Sequence, residues 1–321
     1  MLGLQHPAQD RAPELIGQLG GQGEGLLVFD GLSAFPLTPL NGEDVDLKAV
    51  AGLVSRAALA GVDSLGVLGS TGNYAYLSRE ERRAVLEAAI DAAGDVPVLA
   101  GVGAVRTRDV LTLAGDAQSA GATALLLAPV SYQRLTDDEV FGLYERVAAE
   151  TDLPVVVYDN PGTTGFTFSD DLHARIARIP GIASIKIPPP TADVSARIGT
   201  LRSRLPQGTS LGISGDWVAA EALAAGCNVW YSVIGGVLPI QAKTIVDHVR
   251  AGRTGEALEE SARLEPLWTL FRAYGSLRVV SGLAEELGLI PASALPLPLH
   301  GLDSEGREKL ARAVRELGLE A

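Results

Sequence analysis

Lysine is scarce in this chain of 321 residues: it occurs only at Lys48, Lys186, Lys243 and Lys309, with arginine used elsewhere. Lys186 alone lies inside an apolar, β-branched run, between Ile185 and Ile187. An ammonium turned inward there is costly to desolvate, and burial lowers a lysine pKa by penalising the charged form. The neutral amine that results can attack a ketone and form a Schiff base. The competing reading is a side chain that faces outward or pairs with a carboxylate, the commoner fate of an isolated strand lysine. Two other features shift the balance. Tyr158 ends the run Leu153–Tyr158 and offers a phenol able to relay protons to and from a carbinolamine. Ser70 and Thr71 stand on a glycine-flanked turn, Gly69-Ser70-Thr71-Gly72-Asn73, whose hydroxyls and backbone N–H groups suit a carboxylate. Alone, the tyrosine is a packing residue and the turn is a turn; amine, phenol and anion nest together make a coherent set.

Such a set works only if the chain brings residues some ninety and thirty positions apart to one place. Short apolar runs recur at Ser64–Gly69, Val96–Gly103, Ala124–Val130, Leu153–Tyr158, Ile182–Ile187, Ser210–Ser214 and Val229–Ile234, and a further strand is expected within Gly25–Leu37. Helical periodicity lies between them, as in Val140, Leu143, Tyr144 and Val147. Ser78 with Glu81, and Thr136 with Glu139, have the capping-box spacing that opens a helix. Eight strands alternating with helices require parallel pairing through crossovers, and strands apolar on both faces, such as Leu125–Leu127 and Val155–Val157, require helices over the sheet. An α/β fold of the (β/α)₈ TIM barrel type over 25–251 fits this length better than an open doubly wound sheet, with 1–24 as an N-terminal extension and 252–321 as a C-terminal helical appendage. In such a barrel, the strand ends that carry Ser70, Tyr158 and Lys186 form the active-site face.

Gly-Ser-Thr-Gly at 69–72, Tyr-Asp-Asn-Pro-Gly-Thr-Thr-Gly at 158–165 and Ser-Ile-Lys-Ile at 184–187 resemble, in order and spacing, the motifs of the dihydrodipicolinate synthase / N-acetylneuraminate lyase family. The resemblance runs from about Leu32 to the C-terminus. It implies a class I lyase or aldolase that binds pyruvate or another 2-oxo acid as a lysine imine, with an aldehyde as second substrate and no metal or organic cofactor. It also implies roles: Lys186 as nucleophile, Tyr158 as general acid/base, Ser70 as its hydroxyl partner, and Thr71, with Gly72, at the 2-oxo acid carboxylate. Asn73, Ser131, Tyr132, Thr163 and Thr164 become candidates for second-substrate contacts. The family's usual assembly implies a homodimer or homotetramer.

Departures accompany the matches. Thr163 stands where dihydrodipicolinate synthases carry an arginine that grips the second substrate's carboxylate, so the resemblance speaks to the imine rather than to lysine biosynthesis. Asn73 replaces a common glutamate, Pro188-Pro189-Pro190 replaces a small polar run, and Ser131 falls where many members supply a tyrosine across a dimer interface.

Other readings have a basis in the residues. A dehydratase of 2-oxo acid sugars would use the same imine. The glycine-bearing ends Gly212–Asp216 and Ser232–Gly236 could hold phosphate, as in isomerases or aldolases of phosphorylated sugars, but neither contains an arginine or lysine. A silent 2-oxo acid-binding protein would explain the altered positions, though a binder has little need of a buried amine. A metal hydrolase finds no ligand spacing among His6, His173, His248 and His300.

With 39 acidic against 26 basic residues, the net charge of −13 repels nucleic acid and anionic lipid. The single cysteine, Cys227, leaves no disulfide framework and fits the cytoplasm. The uncharged stretch from Ala222 to Ile240 has the length of a membrane span, but Gly226, Asn228, Gly235, Gly236 and Pro239 divide it into a helix end, a strand and a loop.

Overall fold

A computed structural model describes residues 29–319; the reading of 1–24 as an extension lies outside them. Eight parallel strands close into a barrel: β1 (Gly31–Ala34), β2 (Ser64–Val67), β3 (Val98–Gly101), β4 (Ala124–Leu127), β5 (Val155–Tyr158), β6 (Ile182–Ile187), β7 (Ser210–Ile213) and β8 (Val229–Ser232). Consecutive strands pair, and β1 closes the ring by pairing with both β8 and β2. The architecture is therefore the closed (β/α)₈ barrel rather than the open sheet.

Six of the strands are one to three residues shorter at one or both ends than the apolar runs that announce them, β6 matches its run, and β1 lies within Gly25–Leu37. The apolar residues beyond the strands, such as Leu68 and Val102, continue into the buried loops at the barrel mouth. The eight connecting helices are α1 (Leu47–Leu59), α2 (Arg79–Ala93), α3 (Thr107–Ala120), α4 (Asp137–Ala149), α5 (Asp170–Ile176), α6 (Val194–Arg202), α7 (Ala219–Ala224) and α8 (Pro239–Arg250). Both capping boxes form: Ser78 opens α2 and Thr136 opens α4, each exchanging hydrogen bonds with the glutamate three residues on. The apolar stripe of α4 turns Val140, Tyr144 and Val147 onto the sheet, where the Tyr144 hydroxyl donates to the Leu127 carbonyl at 2.6 Å. Four further helices, α9 (Thr254–Arg263), α10 (Glu265–Tyr274), α11 (Ser276–Glu286) and α12 (Ser304–Leu317), follow the barrel. The stretch from Ala222 to Ile240 is divided between α7, β8 and α8, and among the described residues no helix is long and apolar enough to cross a membrane.

The period-two alternation of the strands separates two cores. One set of side chains faces the helices; the other, including Leu99, Ala124, Leu126, Val156, Tyr158, Val229 and Tyr231, fills the barrel interior with Phe29 and Phe35. Phe35 and Tyr231 meet edge to face at 5.9 Å. Two strand glycines make room for them: a Cβ on Gly66 would come within 2.3 Å of the Phe35 ring, and one on Gly212 within 2.3 Å of the Tyr231 ring.

Leu68, directly before the Gly69-Ser70 turn, is held at φ +56, a left-handed conformation uncommon for a non-glycine residue. Its carbonyl oxygen lies where a Cβ on Gly101 would sit, 1.7 Å away. Gly101→Ala must therefore displace backbone rather than a flexible side chain, and should cost at least ~3 kcal/mol. Urea denaturation checks this; a loss below ~1 kcal/mol would mean that the turn is not held by this contact.

Candidate active site

Lys186 shares the inward parity of β6, and only 2% of it is exposed. Three aromatic rings surround its amine: Nζ lies 3.9 Å from the ring centroid of Phe35, 4.3 Å from that of Tyr158 and 5.5 Å from that of Tyr231. Burial brings its pKa down from 10.5 to about 7, against a smaller opposing pull from the Asp216 carboxylate. At neutral pH a large share of the amine is thus uncharged and nucleophilic. Asp216, just beyond β7, is itself raised by burial to about 6, although the Ser232 hydroxyl at 2.8 Å and the Ile234 N–H at 3.3 Å both donate to it.

Tyr158 is the cross-strand neighbour of Lys186, and the Asp159 N–H extends the ladder by donating to the Lys186 carbonyl at 3.0 Å. The Tyr158 hydroxyl donates to Ser70 Oγ at 3.2 Å, while Asn160 Nδ2 reaches both the phenolic oxygen, at 2.9 Å, and Ser70 Oγ, at 3.3 Å. Burial raises the phenol's pKa, and the hydrogen bonds to Ser70 and Asn160 partly oppose it. An amine, a phenol and a hydroxyl from β6, β5 and the loop after β2 therefore converge at the barrel mouth.

Thr71 is buried in the turn beside Ser70, and the turn is closed by the Asn73 N–H donating to the Ser70 carbonyl at 3.2 Å. A Cβ on Gly72 would lie 2.9 Å from the Leu68 nitrogen, so this position tolerates no side chain without a backbone shift. Asn73, expected near the second substrate, is buried at φ +56 and spends its amide on the Thr38 carbonyl at 3.2 Å. Thr163 and Thr164 turn their hydroxyls to the Asn160 carbonyl, at 3.3 and 3.0 Å. Ser131 is half-buried, whereas Tyr132 is 92% exposed. Pro188, Pro189 and Pro190 line a cavity of about 280 Å³ together with Asp159 and Arg197.

Sequence reasoning assigned no role to Phe35, Tyr231, Asn160 or Asp216. The two aromatics were detectable in principle from inward strand parity; Asn160 and Asp216 lie in the segments 158–165 and 212–216 with nothing local to single them out. N–H groups at the glycine-bearing ends of β7 and β8 are already bonded: the Ser214 N–H donates to the Ile187 carbonyl at 2.9 Å, the Ile234 N–H to Asp216, and the Gly235 N–H to Ser232 Oγ at 2.9 Å. Those N–H groups are not disposed to receive a phosphate. Of the histidines, His173 is fully buried on α5, 3.3 Å from Asp159 and stacked on Phe168. Among the described residues no group of three or more His, Cys, Asp or Glu side chains is placed to hold a metal.

Comparisons with known proteins identify the family and the fold. The Dihydrodipicolinate synthetase family matches residues 28–317. A 4-hydroxy-tetrahydrodipicolinate synthase of Methylococcus capsulatus is 31% identical over 285 residues, covering 88% of this chain and 96% of that one. The crystal structure of a dihydrodipicolinate synthase from Agrobacterium tumefaciens superposes with a TM-score of 0.87 at 45% identity, covering 90% of this chain and 98% of that chain. A chloride-inhibited dihydrodipicolinate synthase from Acinetobacter baumannii, solved with pyruvate, has a TM-score of 0.83 at 29% identity and covers 90% of this chain and 99% of its own. By motif, barrel and full-length similarity alike, the chain belongs to the dihydrodipicolinate synthetase family of class I, pyruvate-dependent lyases.

Proposed function

We propose that the protein is a Schiff-base-forming lyase or aldolase that takes pyruvate or a related 2-oxo acid as its imine donor, an aldehyde as its second substrate, and Lys186 as its nucleophile. The observation that carries this reading is the buried amine of Lys186, depressed to about 7 and packed 4.3 Å from the ring of Tyr158. Neutral Nζ attacks the C2 carbonyl to give a carbinolamine. Tyr158 protonates the departing hydroxyl, water leaves, and the nitrogen lone pair completes the C=N bond. The Tyr158 phenolate then takes a proton from C3, the imine nitrogen accepts the electron pair, and the enamine attacks the aldehyde carbonyl, whose oxygen takes the proton back from Tyr158. Hydrolysis of the new imine frees Lys186.

In this scheme Ser70 accepts the Tyr158 hydrogen bond and Thr71, with Gly72, holds the carboxylate. The imine supplies the electron sink, so the proposed reaction calls for no metal or organic cofactor. The aldehyde's own contacts would come from around Ser131, Tyr132, Thr163 and Thr164. No cation stands at 163, which favours an aldehyde that is not gripped there through a carboxylate. A second copy of this chain is the proposed protein partner. Support comes from the exposed apolar side chains Tyr76, Val105 and Tyr132, which stand on the loops after β2, β3 and β4. A cytoplasmic location accords with the lone, buried Cys227.

Borohydride reduction in the presence of pyruvate, followed by peptide mapping, tests the reading. The expected result is one reduced adduct, on the peptide containing Lys186. The absence of any adduct at saturating pyruvate would overturn it, and a panel of aldehydes scored for turnover then identifies the second substrate.

A further inference from the structure

Asn160 has no part in the chemistry just proposed, yet its side chain lies closer to the phenolic oxygen than Ser70 does, 2.9 Å against 3.2 Å. Its placement is over-determined. Its carbonyl accepts from the N–H groups of Thr163 and Thr164 at 3.1 and 3.0 Å, and from both their hydroxyls. Pro161 opens the helical turn Pro161–Thr164 directly behind it. The backbone cannot swing without breaking these bonds, and the amide itself is held by its two contacts, to the phenol and to Ser70 Oγ.

We propose that Asn160 is a further catalytic residue of the imine reaction, its amide donating to the phenolic oxygen of Tyr158 to orient the hydroxyl and to stabilise the phenolate that forms when its proton is given up. This rests on the Lys186–Tyr158 reading above. When Tyr158 protonates the departing carbinolamine hydroxyl, the C–O bond breaks, water leaves and the phenol keeps the O–H pair as phenolate. The Asn160 N–H then faces a full negative charge, and a charge-assisted hydrogen bond is the stronger kind. The phenolate next takes a C3 proton, the C–H electrons form the enamine double bond, and the imine electrons return to nitrogen. Asn160 thus strengthens its hold only in the charged state, which is the condition for lowering a barrier rather than merely binding. Thr163 and Thr164 acquire a role as its clamp. Both partners of the phenol, Ser70 and Asn160, come from one chain.

Exchange of the C3 hydrogens of pyruvate for deuterium, followed by NMR as a function of pH, tests the proposal on the full-length protein. The titratable groups near the phenol are Lys186, from β6, and Tyr74, from the loop after β2, which feels the charge of Tyr158; Asp216 in turn raises the pKa of Lys186. The limb owed to Lys186, near pH 7, should stay in place in every variant. Asn160→Leu should slow exchange tenfold or more and move the phenol limb up by about one pH unit, because the phenolate loses a donor. Asn160→Asp, nearly isosteric and able to keep the turn, should move that limb at least as far, since a carboxylate then faces the phenolate. Exchange within twofold of the wild type in Asn160→Leu overturns the proposal. So does slowed exchange with an unmoved phenol limb in both variants, which would assign Asn160 a structural part only. If the wild-type protein yields no borohydride-trapped pyruvate adduct, the imine reading falls and this inference with it; an adduct with unaltered exchange removes Asn160 alone.

Discussion

Lys186→Ala should abolish the borohydride-trapped pyruvate adduct and lower turnover by at least ~10³-fold, the scale expected when a covalent nucleophile is removed. Lys186→Arg should do no better, because a guanidinium stays protonated and cannot form the imine. In the wild type the rate of trapping should fall about tenfold per pH unit below 7, as the amine, with its pKa near 7, becomes protonated. An adduct that persists in Lys186→Ala would place the nucleophile elsewhere.

The same buried amine has a consequence for stability. Its pKa is about 7 in the folded chain against an ordinary 10.5, so the unfolded chain binds the proton more tightly. The penalty of carrying the charge into the barrel is complete below pH 7, shrinks as pH rises from 7 to about 10.5, and is absent above that. Lys186→Met, unbranched and close in volume, removes it and should stabilise the protein by ~1–4 kcal/mol in acid, with the gain fading as pH rises. The gain should be greatest below pH 6, where Asp216, raised to about 6, is protonated and no longer needs a cation. An inactive variant that melts higher at pH 6 than the wild type would show that the amine is kept for chemistry at the expense of stability.

Tyr158→Phe should lower C3 exchange and turnover by ~10²–10⁴-fold while leaving the fold intact, since the ring that packs beside Lys186 is retained and only the hydroxyl is lost. The adduct should still form slowly, because the amine does not depend on the phenol for its nucleophilicity. Ser70→Ala, which removes one of the two partners of the phenol, should cost less, about tenfold. Equal and complete loss of trapping in Tyr158→Phe and Lys186→Ala would contradict this division of labour. Single-turnover measurements separate the two steps.

The strand residues proposed to carry the chemistry were placed by a simple rule: a strand puts every second side chain on the same face. Lys186 and Tyr158 lie at the ends of apolar runs, where a barrel opens its mouth. The helix starts at Ser78 and Thr136 were legible for a similar reason: the interactions that open them span three residues. The second-substrate candidates were not settled that way. Thr163 and Thr164 are bound to their own loop through the Asn160 carbonyl, and Asn73 turns to Thr38, thirty-five residues upstream. Side-chain direction in an irregular turn depends on which backbone groups lie within reach, and spacing along the chain does not encode this.

Residue type and periodicity, acting within a few positions, determined that this chain alternates strand and helix, that its one strand lysine stands beside a tyrosine-bearing strand, and that an imine is the chemistry available. Closure of the barrel decided the rest. It brought Phe35 from just after the first strand and Tyr231 from the last around the amine, with Asp216 from the loop after the seventh, and so set that amine's proton affinity. Desolvation and charge coupling depend on distances in space between groups far apart in the chain, and only the folded ring establishes those distances.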